Sequence, residues 1–590
     1  MFGFLKSLKK LITYEPKKSK TFELLEGSNE GVESDTNPPT PNIKSDNNNQ
    51  SYKEKNTKRL PLCVDEWNKQ KNAEHVAAEN PKDGKVSTDL NTNIEAVKME
   101  FCIPYNTGII TRQFKIARKV NSFIAYIDGM VDKVLISEFV IQKLMEEQNF
   151  NCYFEAGSST SITDFISDNV VAAHDVSKLN DLNSIYFQIL SGNTALFIDG
   201  EDTCLVISSR GYEKRAVEKP VTENVIMGSQ EGFTENLSTN ITLIRKIIKN
   251  KSLICEKLKI GKVNQSHICI MYINGIVNQE IVKEVKKRVS SIDTDFVLGD
   301  GMVGQFIEEN PFMIFPQALT TERPDRVASF LAEGKVAIIS EGTPFAEIVP
   351  NTFFQLLHTS EDAMLRWQYG TFLRIIRVLG MLIAMFLPAI YVALTLFHQE
   401  MIPTELLADI ASSKEAVPFP TIVEIILLEV SFELIREGGI RIPGIIGQTL
   451  GIIGALILGQ AAVAAGLVSP ILIIIVAVTG LGSFAIPNYS LGLAVRMLRF
   501  FFIFLAGILG FYGISLGLFL VACISSNMKS FGVPFFSPVA PKLKSSPDLI
   551  IRQPVWRQKS RPDYVNSPNR KRQSDRVRDW KKRNKGDNNS

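Results

Sequence analysis

The sequence predicts a mixed architecture, two related α/β soluble subdomains followed by an all-α transmembrane bundle, and three observations carry that expectation. Apolar residues concentrate between Phe372 and Ser525, while both ends of the chain are polar. The stretch from Phe101 to Leu365 has the composition of a globular protein and repeats itself. The stretch before it is too polar to bury a core. At 590 residues the chain exceeds what one hydrophobic core can serve. The expected division is a disordered arm over 1–100, subdomains over 101–235 and 236–365, a helical membrane domain over 366–530 and a basic tail over 531–590.

At the N-terminus, Phe2, Leu5, Leu8, Leu11 and Ile12 fall on one helical face opposite Lys6, Lys9 and Lys10. That pattern permits a helix on a membrane surface. A frayed terminus is the alternative, because the stretch is short and uncapped. It has no long apolar core before a small-residue cleavage site, so no cleaved signal peptide is expected. From Thr21 to Glu100 the sequence is dominated by Asn, Ser, Lys, Glu, Asp and Pro. Such a segment buries too little apolar area to offset backbone ordering, which costs about 1–2 kcal/mol per residue.

The repeat is legible in two places. Phe123–Val131 matches Ile268–Val277, each an apolar strand ending at Asp-Gly or Asn-Gly and giving way to an amphipathic helix. Further on, Gly192–Gly200 matches Gly334–Gly342 at nearly the same separation, which two chance similarities would not give. Asp128 and Asn274 close the first matched strands. Tight-turn chemistry accounts for both, and a ligand role in a cleft between the halves is the alternative.

Val378–Phe397 contains no charge and is long enough to cross the hydrocarbon layer, with Pro388 as a kink. Further apolar stretches run over Ile442–Val468, Pro470–Val495 and Phe500–Ser525. The glycines at 444, 447, 451, 454 and 459 suit a packed interior helix. The informative segment is Pro420–Glu437, apolar but carrying Glu424, Glu429 and Glu433, each costing roughly 2–3 kcal/mol or more if unpaired at the bilayer centre. Helical periodicity puts Glu429 and Glu433 on one face. They line a cation path, or they belong to an interfacial helix and pair with Arg436 and Arg441. Four or five crossings are both compatible with the arginines at the ends of the apolar runs. The basic residues after Arg570 favour the count that keeps the tail inside.

A net charge of +3 does not point to nucleic acid, and only Trp580 offers a stacking surface in the basic run. The seven cysteines show no CxxC pair and read as reduced, mostly buried thiols. Neither they nor the five scattered histidines make a metal motif. No phosphate loop, dinucleotide fingerprint, nucleophile elbow or HExxH occurs, so neither a cofactor nor an enzymatic activity is expected.

Six motifs then stand in order: Glu231-Gly-Phe-Thr-Glu-Asn-Leu237, Glu308–Gln317, Thr321-Glu-Arg-Pro-Asp325, Glu341-Gly-Thr-Pro-Phe-Ala346, Phe432–Pro443 and Ile446–Val463. With them the chain resembles, over Ile109–Pro541, the A subunits of the GerA family of bacterial spore germinant receptors. It departs where the family carries Pro-Arg and this chain has Gly228-Ser-Gln230. The resemblance implies a multi-pass protein of the spore inner membrane with its large soluble part cytoplasmic. It also implies a transporter-like B subunit and a lipoprotein C subunit as partners, homo-oligomers of A in membrane lipid, and ion release when a nutrient binds. Glu424, Glu429, Glu433, Arg436, Gln448 and Gln460 are the candidate ion-pathway or intramembrane polar contacts. A scaffold that docks partners without conducting is the alternative, and a secondary transporter a second one, disfavoured because the apolar part shows no second copy of itself.

Overall fold

The computed structural model describes residues 84–155, 161–211, 219–220, 222–415, 417–441, 459–543, 548–574 and 577. The N-terminal helix expected on a membrane surface, Cys63, the first part of the expected span Ile442–Val468 with Gln448, and the basic residues from Arg578 onward lie outside the described residues.

The soluble half is two five-stranded sheets of the same topology. The first unit runs α1 (Leu90–Glu100), β1 (Ile109–Ile116), β2 (Val120–Ile127), β3 (Val176–Leu179), α2 (Leu182–Leu190), β4 (Thr194–Ile198) and β5 (Cys204–Ile207), with strands in the order β1-β2-β4-β5-β3. The second runs α3 (Leu237–Ile247), β6 (Leu253–Ile260), β7 (Ser266–Ile273), α4 (Gln279–Ser290), α5 (Gly299–Ile307), β8 (Leu319–Thr321), α6 (Pro324–Glu333), β9 (Val336–Ser340) and β10 (Ala346–Val349), ordered β6-β7-β9-β10-β8. The matched segments of the sequence thus hold equivalent places, β2 with β7 and β4 with β9. Every strand pairing within the two sheets is antiparallel, so each unit is a sheet with helices packed on it rather than a set of parallel crossovers.

Both faces of the central strands are covered, which is why they read as unbroken apolar runs. Phe123, Ala125 and Ile127 face one core and Ile124 the other. In β7, Cys269, Met271 and Ile273 alternate likewise with Ile268, Ile270 and Tyr272. Phe123 lies directly opposite Phe197 on β4, and the two rings stack at 4.6 Å. Gly129 and Gly275 take φ of +81° and +84° at the two matched turns, a conformation that disfavours any side chain.

The structure corrects the expected disordered arm over 1–100, because its last residues are part of the first unit. Asp89 caps α1 by accepting from the amides of Asn91 and Thr92, and Leu90, Ile94 and Val97 enter the core. The counterpart, α3, is capped by Asn236 in the same way. Each capping loop also holds its sheet: Gly200 N donates to Thr88 O at 2.9 Å, and Gly342 N to Glu235 O at 2.9 Å. A polar sequence hid α1 because only one stripe of it is apolar.

The cysteines also depart from expectation. Cys255 and Cys269 stand side by side on neighbouring strands β6 and β7, with Cα atoms 6.2 Å apart, and Cys152 and Cys523 are exposed rather than buried.

Among the described residues the helical half includes α7 (Trp367–Phe397), α8 (Thr404–Glu415), α9 (Thr421–Arg441), α10 (Pro470–Phe484), α11 (Tyr489–Leu509) and α12 (Phe511–Ser526). Among the described residues α7 and α11 are long and apolar enough to cross a membrane, and α10 and α12 are shorter apolar helices. The boundaries differ from the apolar runs. Pro487 lies in the short break after α10, Asn488 restarts the chain by capping Leu491 N at 2.9 Å, and Gly510, at φ +57°, separates α11 from α12.

The described part of the expected basic tail over 531–590 is folded. After α12 the chain makes a small hairpin, β11 (Lys529–Ser530) with β12 (Val533–Pro534), and folds back onto the second unit. Ser530 Oγ donates to Gln317 O at 2.7 Å, and Phe353 N to Phe535 O at 2.9 Å. Arg374, near the start of α7, reaches Asp362 at 3.0 Å and Asp548 at 2.7 Å, while Arg377 reaches Asp362 at 2.8 Å. Leu549 O accepts from Arg374 at 2.9 Å and stands 2.8 Å from His358 Nε2. Farther on, Tyr564 bonds Gln355 at 2.5 Å and Arg561 Nε donates to Ala332 O at 2.8 Å.

Two expectations follow. Phe123→Ala removes a stacked, fully buried ring and should cost about 3–5 kcal/mol, read as a lower denaturation midpoint of the first unit in the purified chain; Phe139→Ala, at a 45% exposed position, should shift it by less than about 0.5 kcal/mol. Burial, with help from the Arg374 cation, pushes the His358 pKa from 6.5 down to about 4. The fold therefore favours the neutral ring, and the unfolded chain takes up the proton first. Docking of the returning segment should be fully present above pH 6.5 and weaken as pH falls toward 4. Limited proteolysis between Pro541 and Arg572 across that window should show it, and His358→Gln should remove the His-dependent part.

Candidate functional site

The acids singled out by the sequence lie on α9, and their fate depends on what faces them. Four residues apart, Glu429 and Glu433 share one side of the helix. On α11, Arg496 and Arg499 are three apart and likewise share a side. These two sides meet. Arg499 Nη1 lies 3.0 Å from Glu429 Oε2, with both side chains fully buried. Arg499 Nη2 is 2.6 Å from Glu433 Oε1, and Arg496 Nη1 is 3.0 Å from Glu433 Oε2. Arg436, one turn beyond, approaches Glu433 Oε1 at 3.6 Å and donates to Ser483 Oγ on α10 at 2.7 Å. Its guanidinium lies between the rings of Phe432 (5.1 Å) and Phe484 (4.7 Å). Gly480 makes that approach feasible, since a Cβ there would sit 2.6 Å from the Phe432 ring.

Three guanidiniums thus meet two carboxylates, with one formal positive charge in excess. Desolvating such groups costs several kcal/mol per ion, offset only by close opposite charge. Glu433, with hydrogen bonds from Arg496 and Arg499, is well compensated. Glu429 is not: neither of its buried oxygens has a hydrogen-bond partner among the described residues, and the Arg499 ion pair alone offsets its charge.

Glu424 stands apart from this cluster. It is 1% exposed and accepts from Ser469 N at 3.1 Å, at the first turn of α10, where a carboxylate meets the positive end of the helix dipole. Lys414 of α8 donates to Thr421 Oγ1 at 2.5 Å nearby. Gln460 is exposed, and Gln448 lies outside the described residues. The structure therefore brings together Glu429, Glu433 and Arg436 of the six candidates. Sequence reasoning missed Arg496 and Arg499 as partners because it took them as markers of helix ends. Their spacing of three within an apolar helix was the available signal. The two turn residues are occupied locally: Asp128 pairs with Lys133 at 2.9 Å, and Asn274 Oδ1 accepts from Gln279 Nε2 at 3.0 Å. Turn chemistry accounts for both.

A duplicated antiparallel sheet unit, fastened to a helical region that holds two membrane-length apolar helices and a buried charge cluster, defines the class of protein. Residues 97–564 match the family described as Bacillus/Clostridium GerA spore germination protein, and the chain belongs to that family. It is 40% identical over 491 residues to spore germination protein KA of Bacillus subtilis (strain 168), covering 83% of this chain and 89% of that one. It is 39% identical over 443 residues to spore germination protein GerLA of Bacillus cereus, covering 75% and 89%. The N-terminal domain of the A subunit of the Bacillus megaterium spore germinant receptor GerK3, known from a crystal structure, is 32% identical, with 46% of this chain and 97% of that chain covered at a TM-score of 0.37.

Removing Arg499 alone leaves Glu429 buried without a counter-charge. Arg499→Ala should therefore destabilise the bundle by about 3–5 kcal/mol, measured as a lower thermal midpoint in detergent. Combining Arg499→Met with Glu429→Gln should recover at least half of that loss. A double variant no more stable than Arg499→Ala would show that the pair does not carry the energy assigned to it.

Proposed function

We propose that this chain is the A subunit of a spore germinant receptor, embedded in the spore inner membrane, and that it converts a nutrient signal into cation release through its helical half. Family membership supports the germination role. The single observation behind the mechanism is the Glu429–Arg499–Glu433 cluster joining α9 to α11. In its paired state it is a closed element, because paired carboxylates do not replace the hydration shell of a passing cation. Separating the helices by a few ångströms exposes acids and arginines to water and opens a polar path. Transporter-like B and lipoprotein C subunits are the partners on this reading, with further copies of A completing the conduit.

The returning segment supports a topology. Asp548 and Arg552 are bonded to the residues that open α7, and Ser530 to the second unit, which supports placing the two ends of the helical half on one side of the bilayer. That supports an even number of crossings, with the sheets and the chain's end both cytoplasmic.

The pairing of both acids also favours a second reading, a scaffold whose bundle only anchors docked partners. Glu429→Gln combined with Glu433→Gln separates the two. On the conduit reading, spores carrying the double variant, with the subunit still assembled, should release cations at a rate changed by about tenfold or more, the scale of one lost buried charge interaction. Release at the unaltered rate would remove the acids from any conductive role.

A further inference from the structure

We propose that the loop between Asn310 and Pro316 is a lipid-contacting wedge, its tip Phe312 and neighbouring Ile314 seated in the interfacial layer of the bilayer around the bundle. The inference rests on the membrane reading above. Two features of the loop carry it.

The first is an apolar tip held out on a closed neck. Phe312 is 84% exposed and Ile314 44%. Pro311 and Pro316 restrict the backbone on either side, and Met313 N donates to Asn310 O at 3.0 Å, making the turn. Gln317, 2% exposed, shuts the neck: its Oε1 accepts from the amides of Glu309 and Asn310 at 3.0 and 3.1 Å, and its Nε2 donates to Asn310 O at 2.8 Å. The adjacent acids are tied back on the neck side, Glu308 to Gln317 N at 3.2 Å and Glu309 to Gly532 N at 3.0 Å and Arg288 at 2.9 Å. A loop so constrained cannot fold its phenyl ring inward, and it presents no carboxylate at its tip.

The second is where the loop points. Phe315, three residues beyond the tip, packs against a cluster whose buried members all belong to the helical half, among them Val476, Leu498 and Phe502. Its other side meets Phe353 at 6.2 Å and Phe535 at 5.9 Å. Phe315 therefore lies against the helical half, and Phe312, three residues before it, is exposed next to that contact. Lipid is the occupant continuous with that apolar surface, and aromatic side chains collect where hydrocarbon meets headgroups.

The test places a fluorophore at the tip. Phe312→Trp in the full chain is reconstituted into phosphatidylcholine–phosphatidylglycerol vesicles, with Phe519→Trp on α12, 64% exposed, as reference; emission is compared with the unsubstituted chain. Acyl chains brominated next to the headgroup should reduce the added Phe312→Trp emission by about twofold, with little quenching by aqueous iodide, as for an interfacial aromatic. Quenching by iodide and not by bromolipid would put the tip in water and overturn the wedge. Shielding from both would mean that protein, a second copy included, covers it, and would equally overturn it. If Phe519→Trp is quenched by bromolipid while Phe312→Trp is not, the wedge alone falls; if neither is quenched, the membrane reading falls with it.

Discussion

Asp362 is the point on which the relation between the two halves turns. Its carboxylate, 1% exposed, receives Arg374 and Arg377 of α7, and through Arg374 it is joined to Asp548 of the returning chain. The segment after the second sheet, the first long helix and the C-terminal segment thus share one set of charges, buried at Asp362 and Arg374 and partly exposed at Asp548. Each guanidinium has carboxylate or carbonyl partners, so the desolvation cost of burying it is offset by charge-assisted bonds that fix direction as well as distance. Arg377 of α7 also donates to Leu357 O at 3.3 Å, so the start of α7 is tied to the residues that follow the second sheet. That mechanical connection is what a signal passing from the soluble half to the helices requires.

Duplication sets the rigidity of what pushes on that joint. In each unit the helix that opens it is capped by an Asp or Asn, tethered by the glycine amide that follows the middle strand of the sheet, and packed on a strand covered on both faces. The units are also joined to each other through a buried polar contact, Arg245 Nη2 to Asn106 Oδ1 at 2.7 Å, beside Thr107 N to Cys255 O at 3.1 Å. Burial lowers the Arg245 pKa to about 10, which leaves it charged at neutral pH. A charged group fixed in that junction discriminates sharply between one arrangement of the units and any other, since misplacing it strands the charge.

How much of this was legible follows from the range of each interaction. The repeat was visible because strands β2, β4, β7 and β9 are covered on both faces and so carry their identity in contiguous residues. Helix α1 was missed because its signature is an apolar stripe spread over Leu90, Ile94 and Val97 in a polar background. The acids of α9 were conspicuous for a local reason, charge within an apolar run. Their partners were not, since Arg496 lies 63 residues from Glu433 and only tertiary packing chooses between it and Arg436. The returning segment was unreadable for the same cause. Val533 and Phe535 stand in a short Gly- and Pro-broken run and Tyr564 among polar residues, and nothing local announces that they are buried against residues some two hundred positions earlier.

The charge cluster and the Asp362 joint differ in a way that bears on mechanism. At the joint, the carboxylate and both guanidiniums are hydrogen-bonded, so each has one favourable state. In the cluster Glu433 is bonded but Glu429 has only the ion pair to Arg499. Two unit charges 4 Å apart attract by roughly 4 kcal/mol at an effective dielectric of 20 and by only about 1 kcal/mol in water. The attraction at Glu429 therefore survives only while water is excluded. Any helix displacement that admits water weakens it fourfold and at the same time hydrates both charges, so the dry paired state and the wet separated state are each self-reinforcing. On the conduit reading proposed above, an element of that kind switches rather than bends, and a joint of the other kind delivers the displacement to it.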